Sequence, residues 1–272
     1  MENDNKVFVL KIRASAAGLL LPGGGGISAK QLERLSELKT RNNGRGKPLT
    51  SNMEAELADL ITKRDMPPQL GQTGKSYVEK LWLKIKYGYD EPVVTEELIK
   101  GDMCEQEGMD IVSVLWPGEF RKKNDTFFQD DHFTGVPDTL LEKEDVVEDT
   151  KSAWTVKTFF GKTEVDPIYF AQGQVYMHLT GRKKFRVHYC LVNTPAELVH
   201  NEQKRFFWKY GGDENNQKFK KAAEQIARNH NVDHIPLAER VKTFEFEYDP
   251  TFIAELQSKV ILARAYYNTI EL

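Results

Sequence analysis

Apolar positions recur every three or four residues through much of the first 115 positions, the spacing of amphipathic helices. A helix is expected over 28–39, opened by Ser28. Ser51 can cap a second, in which Met53, Leu57, Leu60 and Ile61 keep helical spacing and which Pro67-Pro68 ends. A third fits 76–87. A fourth fits 95–115, with Thr95 as its cap and Glu96 and Glu97 in its first turn. Weak alternation over 6–12 suggests a short strand. Pro22-Gly23-Gly24-Gly25-Gly26 and Asn42-Asn43-Gly44-Arg45-Gly46 read as loops.

The pattern changes after position 127. Residues 127–141 and 146–151 read as two strands joined by the polar turn Glu142-Lys143-Glu144-Asp145. A helix follows over 166–179 and a strand over 185–192. A charged helix near 215–229, an alternating strand over 241–248 and a last helix from Pro250 complete the chain. There is no internal repeat and no long low-complexity segment. Helices, then a hairpin, then helix and strand, describe an α/β core with helical additions.

Composition narrows the class. The 272 residues are 40% hydrophobic and 29% charged, as in a soluble globular protein. No apolar run approaches the length of a membrane span. The polar, acid-bearing start lacks the features of a secretory signal, so a cytoplasmic protein with no membrane partner is expected. Cys104 and Cys190 stand far apart with no CxxC context, which argues against zinc, an iron–sulfur cluster and a disulfide framework. The net charge of −3 argues against coating nucleic acid by bulk positive charge. Basic residues cluster locally, at Arg182-Lys183-Lys184 with Arg186 and at Lys218, Lys220 and Lys221.

The chemistry centres on Gly135-Val136-Pro137-Asp138 and Glu148-Asp149-Thr150-Lys151. Residues two apart in a strand share a face, so Asp149 and Lys151 project together while Thr150 turns away. Asp138, on the adjacent strand, can reach the same point. Two converging carboxylates suit a hard cation such as Mg²⁺. The lysine can orient water or stabilise charge on a phosphate. Glu148 is a rival acid, but its partner two residues on is Thr150. A surface hairpin with scattered charges would show the same triplet. Upstream, Leu98, Glu105 and Val112 are spaced by seven, which puts a carboxylate on or beside an apolar helix stripe. Gly101, one turn earlier, leaves room there. Downstream, Tyr169, Gln172, Tyr176 and Thr180 share one helix face. Either a polar site or ordinary amphipathic packing accounts for them.

Asp138, Asp149-Thr150-Lys151 and Gln172-x-x-x-Tyr176, preceded by Gly101-x-x-x-Glu105, resemble in order and spacing the PD-(D/E)XK nuclease superfamily, and within it the RecB-like and lambda-exonuclease-like (YqaJ-type) phage recombination nucleases. The ending through Tyr266-Tyr267 is similar to theirs. The resemblance implies a restriction-endonuclease-like core with a mixed central sheet flanked by helices, over 67–272, and a helical or irregular extension over 1–66. It implies that Glu105, Asp138, Asp149 and the Thr150 carbonyl hold one or two Mg²⁺ or Mn²⁺ ions, that Lys151 positions the attacking water, and that Gln172, with Tyr176 beside it, supports Lys151 or a DNA phosphate. The implied activity is exonucleolytic, 5′ to 3′, on linear duplex DNA. A single-strand annealing or recombinase protein is the implied partner, and a ring-shaped homo-oligomer the implied assembly. An endonuclease of the same superfamily and a catalytically silent DNA-binding protein are the competing readings.

Gly71-Gln72-Thr73-Gly74-Lys75-Ser76 is not a P-loop, because Gln69 stands where its first glycine is required. Lys75 and Ser76, at the expected start of a helix, and Arg64 are candidates for a terminal DNA phosphate by the same resemblance. Trp154 is either a stacking surface for DNA or a core residue. His132 and His178 have no partner pattern.

Overall fold

The computed structural model describes residues 9–23, 29–44, 47–67 and 69–271. The expected strand residues 6–8, the glycines 24–26, Ser28, Arg45-Gly46 and Pro68 lie outside them. The chain divides into two compact units. One comprises Met1–Ile12, Ala16–Asp90 and Ala254–Leu272, the other Arg13–Ser15 and Glu91–Ile253. This differs from the expected division at 66. The third helix groups with the N-terminal helices, and most of the last helix joins them rather than the sheet that precedes it.

The opening segment holds the two-residue strand β1 (Ile12–Arg13) and the short helix α1 (Ala14–Ala17). In the first unit, α2 (Ala29–Asn42) and α3 (Ser51–Asp65) close on Leu35, Leu38, Leu57 and Leu60. Arg34 grips Glu56 through two hydrogen bonds of 3.0 and 2.9 Å. Thr50, not Ser51, caps α3, its hydroxyl accepting from Met53 N. The next helix, α4 (Gln72–Tyr87), begins four residues before the expected start and ends on Gly88, whose φ of 67° suits glycine.

The second unit begins with α5 (Glu96–Leu115), capped by the Thr95 hydroxyl as expected. Its buried line is Lys100, Cys104, Gly108 and Ile111, with Met109 and Val112 alongside. Leu98 is exposed rather than part of that stripe, and Glu105 lies half-buried at its edge. The expected strand over 127–141 is instead three short pieces, β2 (Phe128–Gln129), β3 (Phe133–Gly135) and β4 (Thr139–Leu141). Asp130 breaks the first, its carboxylate accepting from the amides of His132 and Phe133. Pro137, which has no N–H for a ladder, separates the second from the third. The antiparallel pair β2–β3 belongs to a small sheet ordered β1-β3-β2, to which this unit contributes Arg13.

The main sheet is ordered β4-β5-β6-β7, with β5 (Val146–Ser152), β6 (Lys184–Cys190) and β7 (Val241–Glu247). It is mixed, as expected. β5 and β6 are parallel, and the outer pairs are antiparallel. The parallel pair needs a long crossover, supplied by α6 (Val156–Phe160) and α7 (Pro167–Thr180). The helices α8 (Ala196–Lys209) and α9 (Gln217–His230) intervene before β7, and α10 (Pro250–Tyr267) ends the chain. The sequence reading contains no α6 or α8. Among the described residues no helix is long and apolar enough to cross a membrane.

Both faces of β5 are covered. On one, Gly108 of α5 meets Thr150. A Cβ there would lie 2.7 Å from the Thr150 methyl, so glycine is what allows this approach. Cys104 and Cys190 are free thiols buried on this side. Glu148 also points this way. Arg121 holds it with hydrogen bonds of 2.7 and 3.1 Å, and His188 and Arg186 stand 3.3 and 3.5 Å from it. Burial alone would raise the Glu148 pKa, but His188 and Arg121 outweigh it and hold it down to about 2. On the other face, Tyr169 of α7 lies over Lys151.

One buried cation ties the ends of β5 and β6 together. Lys100, 1% exposed, donates to the carbonyls of Ala153 (2.7 Å), Trp154 (3.1 Å) and Val192 (3.1 Å). Burial pushes its pKa down to about 8, still high enough to keep the ammonium at neutral pH. Lys100→Met leaves those carbonyls without a donor and should cost about 3 kcal/mol in urea unfolding. A loss below about 1 kcal/mol would contradict the clamp.

The Glu148 cluster yields a pH prediction. Its folded pKa lies below the ordinary 4.5, so its contribution is fully present above that pH and fades as pH falls toward 2. The gap corresponds to about 3 kcal/mol. In urea unfolding, the stability advantage of the native chain over Glu148→Gln is expected to shrink from pH 4.5 to 2. A constant advantage across that window would show that Glu148 ionisation contributes nothing.

Candidate active site

β4 ends opposite Glu148, where Thr139 pairs with it. Among the described residues, the β4 side of β5 is therefore without a strand neighbour over Asp149, Thr150 and Lys151. Asp138, the residue just before β4, faces this gap. The hairpin is held at its far end by Glu119, whose carboxylate accepts from the amides of Glu142 and Lys143 at 3.1 and 2.8 Å. The loop before Asp138 is held by Asn124, which donates from Nδ2 to the Pro137 carbonyl at 2.9 Å and from its amide to the Asp138 carbonyl at 2.7 Å.

Asp138 and Asp149 come close enough for the charge of one to disfavour ionisation of the other. Asp149 is 1% exposed. Lys151 Nζ stands 2.8 Å from each Asp149 oxygen and donates to Oδ1, while Oδ2 is buried without a hydrogen bond. The Lys151 side chain keeps about a quarter of its surface (24%) in solvent. Burial raises the Asp138 pKa far above the carboxylate range, and the neighbouring Asp149 carboxylate raises it further. Burial disfavours the Lys151 ammonium, but the two aspartates outweigh it and hold its pKa above the ordinary lysine value.

Tyr176 donates from its hydroxyl to the Val136 carbonyl at 3.0 Å, and Gln172 Nε2 donates to that hydroxyl at 3.2 Å. Burial pushes the Tyr176 pKa up to about 12, so the phenol stays a neutral donor. This pair holds the loop leading to Asp138. Gln172 does not bond Lys151. Tyr169 accompanies the lysine instead, its ring centroid 5.1 Å from Nζ. Gly135 permits the close approach of α7, since a Cβ there would lie 2.6 Å from Tyr176 Cε1.

Glu105 is not drawn into the pair. It forms an ion pair with Lys123, although its charge still raises the Asp138 pKa. Among the described residues no three His, Cys, Asp or Glu side chains gather as a metal-binding group, so the expected three-carboxylate set is not assembled. The two aspartates do fit a hard cation. Both supply oxygen donors, they repel each other when ionised, and one buried oxygen has no hydrogen bond.

Arg64 pairs with Asp65 at 2.7 Å. Lys75 sits over the Tyr266 ring at 5.5 Å, and Ser76 accepts from Gln72 at 3.4 Å. Because α4 starts at Gln72, Lys75 and Ser76 are within the helix rather than before it. Trp154 packs edge-on against His230, ring centroids 4.8 Å apart. His178 is held between Asp130 and Tyr248 at 2.9 and 3.1 Å. The sequence reading passed over Arg13 and Ser15. With Phe127, Gly135, Val136 and Tyr176 they line a cavity of about 240 Å³ beside the loop that carries Asp138. A basic residue and a hydroxyl two positions apart are too common a signal to have marked it.

No protein-family model matches the sequence, and no curated protein matches it. Solved structures do. A phage-related exonuclease from Haemophilus somnus 129PT superposes with a TM-score of 0.61 at 20% identity, covering 96% of this chain and 95% of its own. An alkaline exonuclease (LHK-Exo) from Laribacter hongkongensis superposes with a TM-score of 0.54 at 13% identity, covering 95% of this chain and 88% of its own. The same exonuclease in complex with dAMP gives 0.52 at 14% identity, with the same coverage. The likeness extends over nearly the whole length, and the fold of this chain is that of the phage-related and alkaline exonucleases.

Proposed function

We propose that this chain is a metal-dependent deoxyribonuclease that removes nucleotides from the ends of linear duplex DNA. The observation that carries the proposal is the convergence of Asp138, Asp149 and Lys151 at the open edge of β5. A fold shared with exonucleases, one of them bound to dAMP, supports it. The implied 5′-to-3′ direction belongs to the same reading.

Asp138 and Asp149 would hold Mg²⁺ or Mn²⁺, and the Thr150 carbonyl is the backbone donor between Asp149 and Lys151. Glu105 could join them on release from Lys123. A divalent cation bound here supplies Lewis acidity toward a phosphate oxygen. Lys151 is held by Asp149 so that its ammonium faces the same opening as the carboxylates. There it can orient the attacking water and stabilise negative charge on the phosphate. Water oxygen bonds to phosphorus, the ester oxygen leaves, and the proton that the water loses balances the one the leaving oxygen takes up. Gln172 and Tyr176 act indirectly, by fixing the Val136 carbonyl and with it the approach of Asp138. Tyr169 covers one side of the ammonium.

End-labelled linear duplex with 5′-phosphates, incubated with Mg²⁺ or Mn²⁺ beside closed circular DNA, tests this reading. The linear substrate should be degraded from its ends and the circle left intact. Lys151→Ala and Asp138→Ala should each lower the rate at least about a hundredfold. Cutting of the circle would make the chain an endonuclease. Binding without hydrolysis would make it a silent DNA-binding protein. Full activity in both variants would remove the site itself.

A further inference from the structure

We propose that the cleft between the turn after β5 and the C-terminal end of α9 is a second DNA contact, a phosphate site that holds the strand a few nucleotides from Lys151. It deepens the nuclease reading and rests on it. The cleft has a volume of about 700 Å³ and is lined by Lys157, Gln225, Arg228, Asn229, Asn231 and His234, with Thr155 at the turn. Two of these side chains are cationic, a third can become so, and three are amides. No carboxylate lines it. In a chain of net charge −3, such a surface is a local reversal of sign.

The cations are available. Lys157 and Arg228 are exposed, and neither side chain makes a hydrogen bond or an ion pair among the described residues. The carboxylate of the adjoining turn, Asp233, is taken up by Asn193 at 2.7 Å and Asn231 at 3.2 Å. A helix C-terminus carries partial negative charge. Arg228 in the last turn of α9 and Lys157 offset it. The Asn229 side-chain amide can donate to phosphate oxygens without reading a base.

The walls are fixed before any ligand arrives. Lys100 clamps the carbonyls of Ala153 and Trp154 immediately before the turn. The Trp154 ring rests on His230, the last residue of α9. His230 is itself held by Thr194 at 2.8 Å and Glu202 at 2.9 Å. Preorganisation of this kind limits the entropy lost on binding.

Position favours a strand over a free anion. Lys151 and Thr155 are four residues apart, so their Cα atoms can be separated by at most about 14 Å. Phosphates on one strand of a duplex advance about 3.4 Å each along the axis. The turn at the cleft's edge is thus within about four nucleotides' rise of Lys151. Phosphate contacts position a nucleic acid without reading its sequence, which a nuclease acting on DNA ends requires.

The test is binding rather than hydrolysis. Anisotropy of a labelled, 5′-phosphorylated duplex is titrated with the full chain in EDTA, over 50 to 200 mM KCl on the scale where counterion release is read. The double variant Lys157→Ala/Arg228→Ala should bind several-fold more weakly, equally on duplexes of different sequence. Its slope of log affinity against log salt should be shallower by about 2. Lys220→Ala/Lys221→Ala, on the same helix but outside the cleft, should keep the slope. An unchanged slope in the first variant, or an equal loss in both, overturns the proposal. So does a cleft in which inorganic phosphate raises the melting temperature of the native chain but not of the variant, while duplex affinity is the same in both. A native chain that binds no duplex overturns this proposal, whereas the nuclease reading stands or falls on the hydrolysis assay with Mg²⁺ or Mn²⁺.

Discussion

The carboxyls of Asp138 and Asp149 lie close together, Asp149 fully buried, and both cannot ionise there without repulsion. Lys151 offsets part of that repulsion through its bond to Asp149. The remainder is visible in the raised Asp138 pKa and in an Asp149 oxygen that has no hydrogen bond. The surrounding structure serves to hold these three groups where, left alone, two of them would move apart. β5 supplies Asp149 and Lys151 from one face of a paired strand. Asn124 and Tyr176 fix the chain on either side of Pro137, and so bring Asp138 to the pair.

The rigidity of β5 has its own sources on the opposite face. Glu148 is locked among Arg121, Arg186 and His188, and Thr150 packs against the close approach that Gly108 allows. Lys100 closes the strand's end. Alternation along four consecutive residues therefore divides labour. Glu148 and Thr150 anchor the strand, while Asp149 and Lys151 present the polar groups. Strain at the site is borne by a scaffold whose own charges are paired.

Much of this was legible in the sequence because period-two and helical patterns fix which residues share a face. The pairing of Asp149 with Lys151, the hairpin that delivers Asp138, and the helix carrying Gln172 and Tyr176 all followed from spacing. The strand over 127–141 did not survive, because the side chain of Asp130 competes with the ladder for backbone amides, an effect that apolar patterning does not register. From its helix alone Glu105 could be a ligand of a shared cation or a salt-bridged residue at the edge of the stripe. Lys123, brought beside it from a loop, makes the salt bridge. Lys100 carries no signal of its role, since nothing local announces that three carbonyls distant in sequence will converge on it. Arg13 and Ser15 were hidden for the same reason, their significance residing in the neighbours Gly135 and Tyr176.

The central proposal is that Asp138 and Asp149 form one cation site, and that the proton which the raised pKa keeps on Asp138 must leave when a metal enters. Calorimetric titration of the intact protein with Mn²⁺ at neutral pH, in buffers of differing ionisation enthalpy, measures both binding and the protons released. The account predicts saturable binding accompanied by release of about one proton, and loss of both in Asp149→Asn. Binding of equal strength in that variant, or no binding by the native chain, would contradict it.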